Sequence, residues 1–181
     1  MTEIAEAPPL LENKGAILPD GKVACGIYTL IGPKGHKTVK VKTVQDGELS
    51  GKRIVYVFKG GDNENFFNYV GVAFLNTVEV EEEEKYLEEV KDEFDFVTTV
   101  EKTRTVKKEK DTLQVWKRQR GTDFHKIAQA FLRIVYDGID GYRYELAKHC
   151  RVCNHTLTNP ESIEAGIGPE CSKNVESGGT D

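Results

Sequence analysis

Three of the four cysteines, Cys150, Cys153 and Cys171, lie near the carboxyl end at a spacing that suits a metal ion. Two thiols separated by two residues can bind one tetrahedral ion, because N–H groups of the turn between them stabilise the sulfurs as thiolates. Cys171 follows Gly168 and Pro169, and proline suits the first turn of a helix, where N–H dipoles also favour a thiolate. The spacing therefore predicts a knuckle facing a helix start, which is a treble-clef-like element.

Zinc is the metal that this ligand set predicts. An iron–sulfur cluster usually needs four cysteines, and no other feature of the chain indicates redox chemistry. A group of free structural thiols is the alternative interpretation. The fourth ligand is open: His155 lies inside the knuckle loop and is the first candidate, whereas His149 is adjacent to a ligand and Cys25 is remote. Water or a distant carboxylate is a further option.

A structural metal is favoured over a catalytic one. Three sulfur ligands could leave a fourth position open for catalysis, but no general base stands out among the nearby Glu161, Glu164 and Glu170. Residues 149–176 also contain few large apolar side chains, so we expect the metal to order this segment. The chain has no nucleotide-binding or deaminase motif and no recognisable triad, so we expect it not to be an enzyme.

The rest of the chain must position this element, and 181 residues allow one compact domain plus an appendage. The longest apolar run, residues 69–75, is too short for a bilayer, which takes roughly 20 residues to cross. The amino end has neither the basic start nor the apolar run of a secretory signal. We therefore expect a cytoplasmic protein without a membrane segment, in a reducing compartment that favours metal binding over disulfides.

Short runs rich in β-branched and aromatic residues predict an antiparallel sheet. Turn-forming residues separate these runs, and two more strands are expected further along the chain at 94–100 and 112–116. The first four predicted strands are residues 26–31, 37–44, 53–58 and 66–75.

One helix is clearly predicted after the sheet. Thr122 suits an N-cap, apolar residues between 124 and 135 recur at helical spacing, and Gly138 is a stop signal. A second short helix is predicted at 142–148. The predicted fold class is α+β, with a small antiparallel β domain, a helix and a carboxyl-terminal treble-clef-like zinc element. The predicted divisions are a flexible arm at 1–14, the β domain at 15–120, a helical connector at 121–148, the zinc-binding element at 149–176 and a tail at 177–181.

The net charge of −5 argues against coating nucleic acid by bulk electrostatics, but it conceals two opposed blocks. Residues 79–95 carry ten acidic side chains and two lysines, and residues 102–120 carry eight basic and two acidic side chains. We interpret residues 79–110 as an insertion in the β domain. Its acidic part is either a short charged helix or an extended loop, and residues 102–110 are either a connector or an exposed strand extension.

The carboxyl segment matches a specific pattern at Cys150, Cys153, Leu157, Pro160, Ser162, Gly166, Gly168, Pro169 and Cys171. At these positions it resembles a domain family of unknown function with three cysteines, found in bacteriophage and actinobacterial proteins and at the ends of some phage helicase-like proteins. Parts of residues 24–120 are similar, more loosely, to the small β module that often precedes this element in phage proteins. The family usually has Gly at Asn154 and a basic residue at His155. The resemblance implies association with nucleic-acid processing.

The leading prediction is a non-catalytic, zinc-binding, phage-type protein that binds nucleic acid or docks on a nucleic-acid-processing machine. Positive charge beside a stacking ring is typical of such binding, and lysines between 37 and 42 form a second basic strip. A solvated strand face, neutralised by the acidic block, is the alternative interpretation of the basic block. The predicted contacts are Lys102, Arg104, Lys107, Lys108, Lys110, Trp116, Lys117, Arg118 and Arg120.

A second prediction comes from a different class of protein. An acidic block can imitate a phosphate backbone, so the chain is alternatively a phage inhibitor or adaptor that binds a host protein. A solubilising loop is the simpler interpretation of the same residues. The oligomeric state is left open. The predicted protein contacts are Glu81, Glu82, Glu83 and Glu84.

Overall fold

A computed structural model describes residues 15–177, and the predicted arm at 1–14 and the tail beyond residue 177 lie outside the described residues. A six-stranded antiparallel sheet forms the body of the protein, in the order β5-β4-β3-β2-β1-β6. The predicted antiparallel sheet is therefore confirmed. Its strands are β1 (Gly26–Gly32), β2 (Gly35–Thr43), β3 (Arg53–Phe58), β4 (Tyr69–Lys91), β5 (Val97–Val115) and β6 (Arg143–Leu146).

Helix α1 (Asp123–Tyr136) covers one face of the sheet and closes the core. Valines alternate along β2 and β3, so that Val39 and Val57 point to the same face and are buried with Phe131 of the helix. The Thr122 side chain accepts a hydrogen bond from the His125 N–H, which confirms the predicted N-cap. No helix in the described part of the chain is both long and apolar enough to span a membrane.

Strands β4 and β5 continue past the sheet as one long hairpin, whose ladder runs from Ala73 opposite Val115 to Lys91 opposite Val97. The prediction of a short charged helix or an acidic loop is wrong for this segment. The alternative of an exposed strand extension is confirmed for residues 102–110. The cause is cross-strand pairing, because the basic block of one strand faces the acidic block of the other.

The prediction of a helix at 142–148 is also wrong. Residues Arg143–Leu146 form the edge strand β6, which pairs with β1, and Tyr144 is buried in the core. A strand that exists only through pairing with a partner more than a hundred residues away gives a weak local signal. The chain then enters the cysteine element through a second, two-stranded sheet of β7 (Lys148–His149) and β8 (Thr156–Leu157).

Candidate metal centre and the sheet face beside it

A tight turn between β7 and β8 positions the first two cysteines. The Cys150 N–H donates to the His155 carbonyl, and the Asn154 N–H donates to the Cys150 carbonyl, both at 2.8 Å. Asn154 has φ of 61°, a left-handed conformation that glycine and asparagine tolerate best. Asparagine therefore suits this position of the turn, and glycine would adopt the same conformation.

Two short helices bring the third cysteine to the turn. Helix α2 (Pro160–Ala165) is capped by Asn159 and ends at Gly166, whose φ of 70° reverses the chain. Helix α3 (Pro169–Ser177) follows, and Cys171 lies in its first turn. The predicted relation between the cysteine pair and a helix start is present in the structure.

The sulfurs of Cys150, Cys153 and Cys171 lie within 4.8 Å of one another and could bind a metal ion. Tetrahedral Zn–S bonds of about 2.3 Å place two sulfurs about 3.8 Å apart, so little movement is needed to close the site. Cys150 is buried, Cys171 is half-buried and Cys153 is exposed. The donor set therefore fits a thiophilic metal near the protein surface.

The pKa values of Cys150 and Cys171 are shifted in opposite directions. N–H groups of Cys153, Gly168 and Val152 point at the Cys150 sulfur and lower its pKa to about 6, so this sulfur is largely a thiolate at neutral pH. Hydrogen bonding to Cys153, burial and the charge of Cys150 raise the pKa of Cys171 to about 11. A bound cation would replace the retained protons, which is how such sites release protons on loading.

His155 does not belong to the sulfur cluster in the structure. Its Nδ1 lies 3.4 Å from Glu64 Oε2 and its Nε2 lies 3.8 Å from Asp62 Oδ1, so both ring nitrogens face carboxylates. His155 and Asp62 nevertheless line, with the cysteines, a cavity of about 520 Å³. Ligation by His155 needs a turn of this ring and stays a prediction.

The loop at residues 62–64, which we name the latch loop, holds the cysteine element on the sheet domain. Asn63 Nδ2 donates to the Thr156 carbonyl and to Thr158 Oγ1, each at 2.9 Å. Glu64 Oε1 accepts from the Thr156 N–H and hydroxyl at 3.0 and 2.9 Å. These bonds lower the pKa of Glu64. Sequence reasoning assigned this loop only to a turn, because nothing local reveals its distant partners.

The face of the sheet opposite α1 carries aromatic and basic side chains. Tyr56 and Phe58 of β3 alternate with the core residues Val55 and Val57, which puts the two rings on this face. Trp116 lies over Gly71, where a Cβ atom would come within 2.6 Å of the indole ring. We name this surface the aromatic face and define it by Tyr56, Phe58, Phe66, Tyr69, Phe74 and Trp116 with Lys40, Lys42, Lys52 and Arg118.

Each basic group of the aromatic face lies over a ring. Lys52 Nζ is 4.5 Å from the Phe74 centroid and Arg118 Cζ is 5.6 Å from the Trp116 centroid. Lys40 and Lys42 lie 5.1 and 6.0 Å from Tyr69 and Phe66. Burial and the neighbouring Lys42 lower the pKa of Lys40. No ion pair is recorded for these four basic groups with the described residues.

The cysteine element and the aromatic face are neighbours. The Thr29 hydroxyl donates to the Thr158 carbonyl at 2.6 Å, and Thr29 pairs with Thr38, two residues before Lys40 on the same strand face. The Tyr69 hydroxyl donates to the Asn63 carbonyl of the latch loop at 2.6 Å. The predicted basic residues Lys40 and Lys42 are thus brought together with Trp116 and Arg118, but on the sheet rather than on the hairpin.

The basic residues of the hairpin are engaged by acidic ones. Arg104 pairs with Glu84 at 2.9 Å, and Lys107 and Lys108 each lie 3.5 Å from a glutamate. Lys102 pairs with Glu88, and Lys110 lies 3.7 Å from Asp137. The predicted nucleic-acid contacts are therefore split: Trp116 and Arg118 lie on the aromatic face, Lys117 and Arg120 are exposed beside it, and Lys102 to Lys110 lie on the hairpin.

The predicted protein contacts Glu81 to Glu84 alternate between the two hairpin faces. Glu82 and Glu84 are paired with Lys108 and Arg104, whereas Glu81 and Glu83 point to the other face and are exposed. The acidic block is thus divided by the strand geometry.

Residues 145–176 match a family of unknown function, DUF6011, which agrees with the predicted resemblance to a family of that kind. The match covers the cysteine element together with the end of β6. Neither a curated protein nor a solved structure matches the chain. The carboxyl segment is therefore similar to a domain of unknown function. The same segment contains the cysteine cluster that could hold a metal.

Proposed function

We propose that this chain is a non-catalytic, zinc-containing protein of the phage type that binds single-stranded nucleic acid on the aromatic face. The observation that carries the proposal is the set of four cation–π contacts on one face of the sheet, where Phe66 is 49 % exposed and Tyr69 is buried. Bases stack on exposed rings while lysine and arginine contact phosphates, and this combination tolerates any sequence. The rings and cations are spread across β2, β3 and β4, which suits an extended strand rather than a small-molecule substrate.

The ion pairs of the hairpin make the aromatic face the better candidate for the nucleic-acid site. Hairpin lysines have carboxylate neighbours, so phosphate would have to displace a glutamate. The lysines of the aromatic face lie over rings, and burial together with repulsion from Lys42 lowers the pKa of Lys40. A phosphate beside Lys40 and Lys42 would relieve that repulsion, which supports binding here.

Binding is tested by fluorescence anisotropy with labelled thymidine and uridine homopolymers and with a duplex of the same length. We expect single strands to bind more tightly than the duplex and more weakly at higher salt. Lys40→Ala/Lys42→Ala should reduce affinity and flatten the salt dependence, since each lost phosphate contact removes a slope of about 0.7 for single strands. Phe66→Ala, which removes a ring of the aromatic face that is 49 % exposed, should weaken binding about tenfold, within the range for one stacked base.

A matched control removes the same charge from the hairpin. Lys107→Ala/Lys108→Ala lowers the net charge as much as Lys40→Ala/Lys42→Ala does. We expect it to leave the affinity within about twofold, because these two lysines lie outside the aromatic face and have glutamate neighbours. The loss of such exposed ion pairs should also change the stability of the fold little. Equal losses of affinity in the two double variants would show that binding depends only on the overall charge of the protein. Absent or salt-independent binding would overturn the proposal.

We infer that the metal is zinc and that the element is of the treble-clef type. The support is a three-sulfur donor set, in which two ligands come from a turn between strands and one from a helix start. Elemental analysis of untagged protein should find one zinc per chain, lost in Cys171→Ser and retained in the control Cys25→Ser. His155→Ala then decides the fourth ligand, because a loss of zinc would assign it to that ring. Untagged protein that was purified without a chelator and contains no zinc would contradict the inference.

A further inference from the structure

The tip of the β4–β5 hairpin exposes aromatic side chains at the end of a fixed turn. Phe94 and Phe96 are 79 % and 70 % exposed. Asp92 Oδ1 accepts from the N–H groups of both residues, at 2.8 and 3.0 Å, and Asp95 closes the turn with φ of 64°. Val97, the residue after Phe96, is 54 % exposed as well. A group of exposed apolar side chains at one turn indicates a docking surface, because monomeric proteins rarely expose contiguous apolar patches.

Negative charge surrounds these rings. Residues 88–95 contain five carboxylates and a single lysine, Lys91. The tip would therefore be repelled by a phosphate backbone or an anionic lipid surface and attracted by a basic one. Its chemistry fits an apolar groove with a basic rim.

Such a groove exists on the same chain, between α1 and the edge strand β5. It encloses about 560 Å³, and its walls include the half-buried Leu113, Leu132 and Ile139. Lys126 and Arg133 stand exposed on its rim. A cavity of about 150 Å³ accommodates one benzene ring, so this groove has room for two phenyl groups.

The charge of the groove complements that of the tip. Asp137, an acidic group at the rim, is engaged by Lys110 at 3.7 Å. Asp111 at the base is bound by Arg53. Lys126 has only a marginal contact with Asp123, at 4.0 Å, and no ion pair with a described residue is recorded for Arg133. The basic side chains on the rim are therefore available to carboxylates from outside.

A chain cannot fill its own groove. The ladder is continuous from Leu75 opposite Leu113 to Lys91 opposite Val97, and sixteen residues of strand separate the tip from the groove by about 50 Å. We propose that Phe94 and Phe96 of one copy dock into the α1–β5 groove of a second copy. The two surfaces differ, so the contact is heterologous, and it closes into a ring or continues as a chain of molecules.

Sedimentation velocity over a wide range of protein concentrations tests this contact. We expect concentration-dependent association that weakens with salt. Phe94→Ala/Phe96→Ala and Arg133→Glu should each raise the dissociation constant about tenfold or more, because one removes the apolar anchors and the other sets like charges together. The altered side chains are exposed, so circular dichroism should show an unchanged fold. Phe67→Ala, a ring 81 % exposed elsewhere, is the matched control and should associate as the unmodified chain does.

Mixing the two defective proteins gives the decisive result. The tip variant keeps an intact groove and the groove variant keeps an intact tip, so a mixture should form heterodimers although neither protein associates alone. A chain that stays monomeric at every concentration would overturn the proposal. Association that survives both variants, or a mixture that does not complement, would equally overturn it, because another surface would then be responsible.

Discussion

Asp111 is a buried acid that stays charged because of its hydrogen bonds. Its carboxylate accepts from both terminal nitrogens of Arg53 at 2.6 Å, from Thr77 at 2.8 Å and from the Val23 N–H at 2.7 Å. Burial alone would raise the pKa of Asp111, but the bonds from Arg53, Val23 and Thr77 outweigh burial and hold it below its ordinary value. The side chain joins β5 to β3, β4 and the segment before β1.

Replacing Asp111 with Asn should destabilise the protein at neutral pH by roughly 3–5 kcal/mol, because it leaves the partly buried Arg53 unpaired. A lowered folded-state pKa contributes stability that is complete above the unfolded pKa and is lost as the pH falls through the folded value. The difference between Asp111→Asn and the unmodified chain should thus be constant from neutral pH to about 5 and shrink below about 4. Urea unfolding measured across this range checks the prediction.

Asp137→Asn is the control for Asp111→Asn, since it removes a carboxylate whose side chain is 66 % exposed and 3.7 Å from Lys110. We expect a change below about 1 kcal/mol for such a surface pair. Equal effects of the two variants, or a difference for Asp111→Asn that persists undiminished in acid, would contradict the role assigned to the buried pair.

Residues whose chemistry is local could be predicted from the sequence, and residues with distant partners could not. Cysteine spacing alone brought Cys150, Cys153 and Cys171 together correctly, because a turn and a helix start fix their positions. Asn63 and Glu64 gave no comparable signal, since their partners at 156–158 follow more than ninety residues later. His155 illustrates the same limit: the latch loop faces its ring, and no local pattern reveals that loop.

At the scale of elements, the hairpin shows why charge blocks are ambiguous. A run of glutamates is typical of a helix or a loop when only its own residues are considered. The ladder brings the two blocks together, with Arg104 opposite Glu84 and Lys107 opposite Glu81, and threonine and valine in β5 favour the extended form. Each exposed ion pair contributes at most about 1 kcal/mol to the stability of the fold. The stability of the hairpin therefore depends on many such pairs together with the hydrogen bonds of its ladder.

The aromatic face could have been predicted in part. Tyr56 and Phe58 alternate with Val55 and Val57, which is the period of a strand with apolar residues on both faces. The bulge between Val55 and Tyr56 and the placement of Trp116 over Gly71 depend on the assembled sheet, so the surface could not be assembled from periodicity. The first three predicted strands were right, although their second face went unrecognised. The strand predicted at 66–75 begins at Tyr69, and those predicted at 94–100 and 112–116 belong to the single strand β5.

At the scale of the whole molecule, the net charge of −5 is a poor guide to any single surface. Opposite charges on the hairpin largely neutralise one another, the hairpin tip is acidic, and the aromatic face is basic. The α1–β5 groove and the aromatic face lie on opposite sides of the sheet. The two proposed contacts, with a second copy and with nucleic acid, therefore use separate surfaces and can be altered independently.

We expect the core of the cysteine element to be too small to keep the element ordered without a bound metal. Its buried apolar residues are Cys150, Leu157, Ile163 and Ile167, far fewer than the core under α1. We expect a strong chelator to raise amide hydrogen exchange in residues 148–177. The latch loop should lose protection with it, because Asn63 and Glu64 bond to this element, whereas β2 and β3 should stay protected in the separate core.

Hydrogen exchange read by mass spectrometry separates these regions, and two variants sharpen the result. Cys171→Ser should reproduce the effect of the chelator without any chelator present, and Cys25→Ser should leave exchange unchanged because Cys25 lies outside the sulfur cluster. Loss of protection in β2 and β3 at the same chelator concentration would show one cooperative unit and contradict the division. A cysteine element that keeps its protection would mean that its packing and the latch bonds suffice without a metal. We therefore expect the boundary between the two regions to lie at the latch loop and at Thr29, where the cysteine element contacts the sheet, with the core under α1 independent of the cysteines.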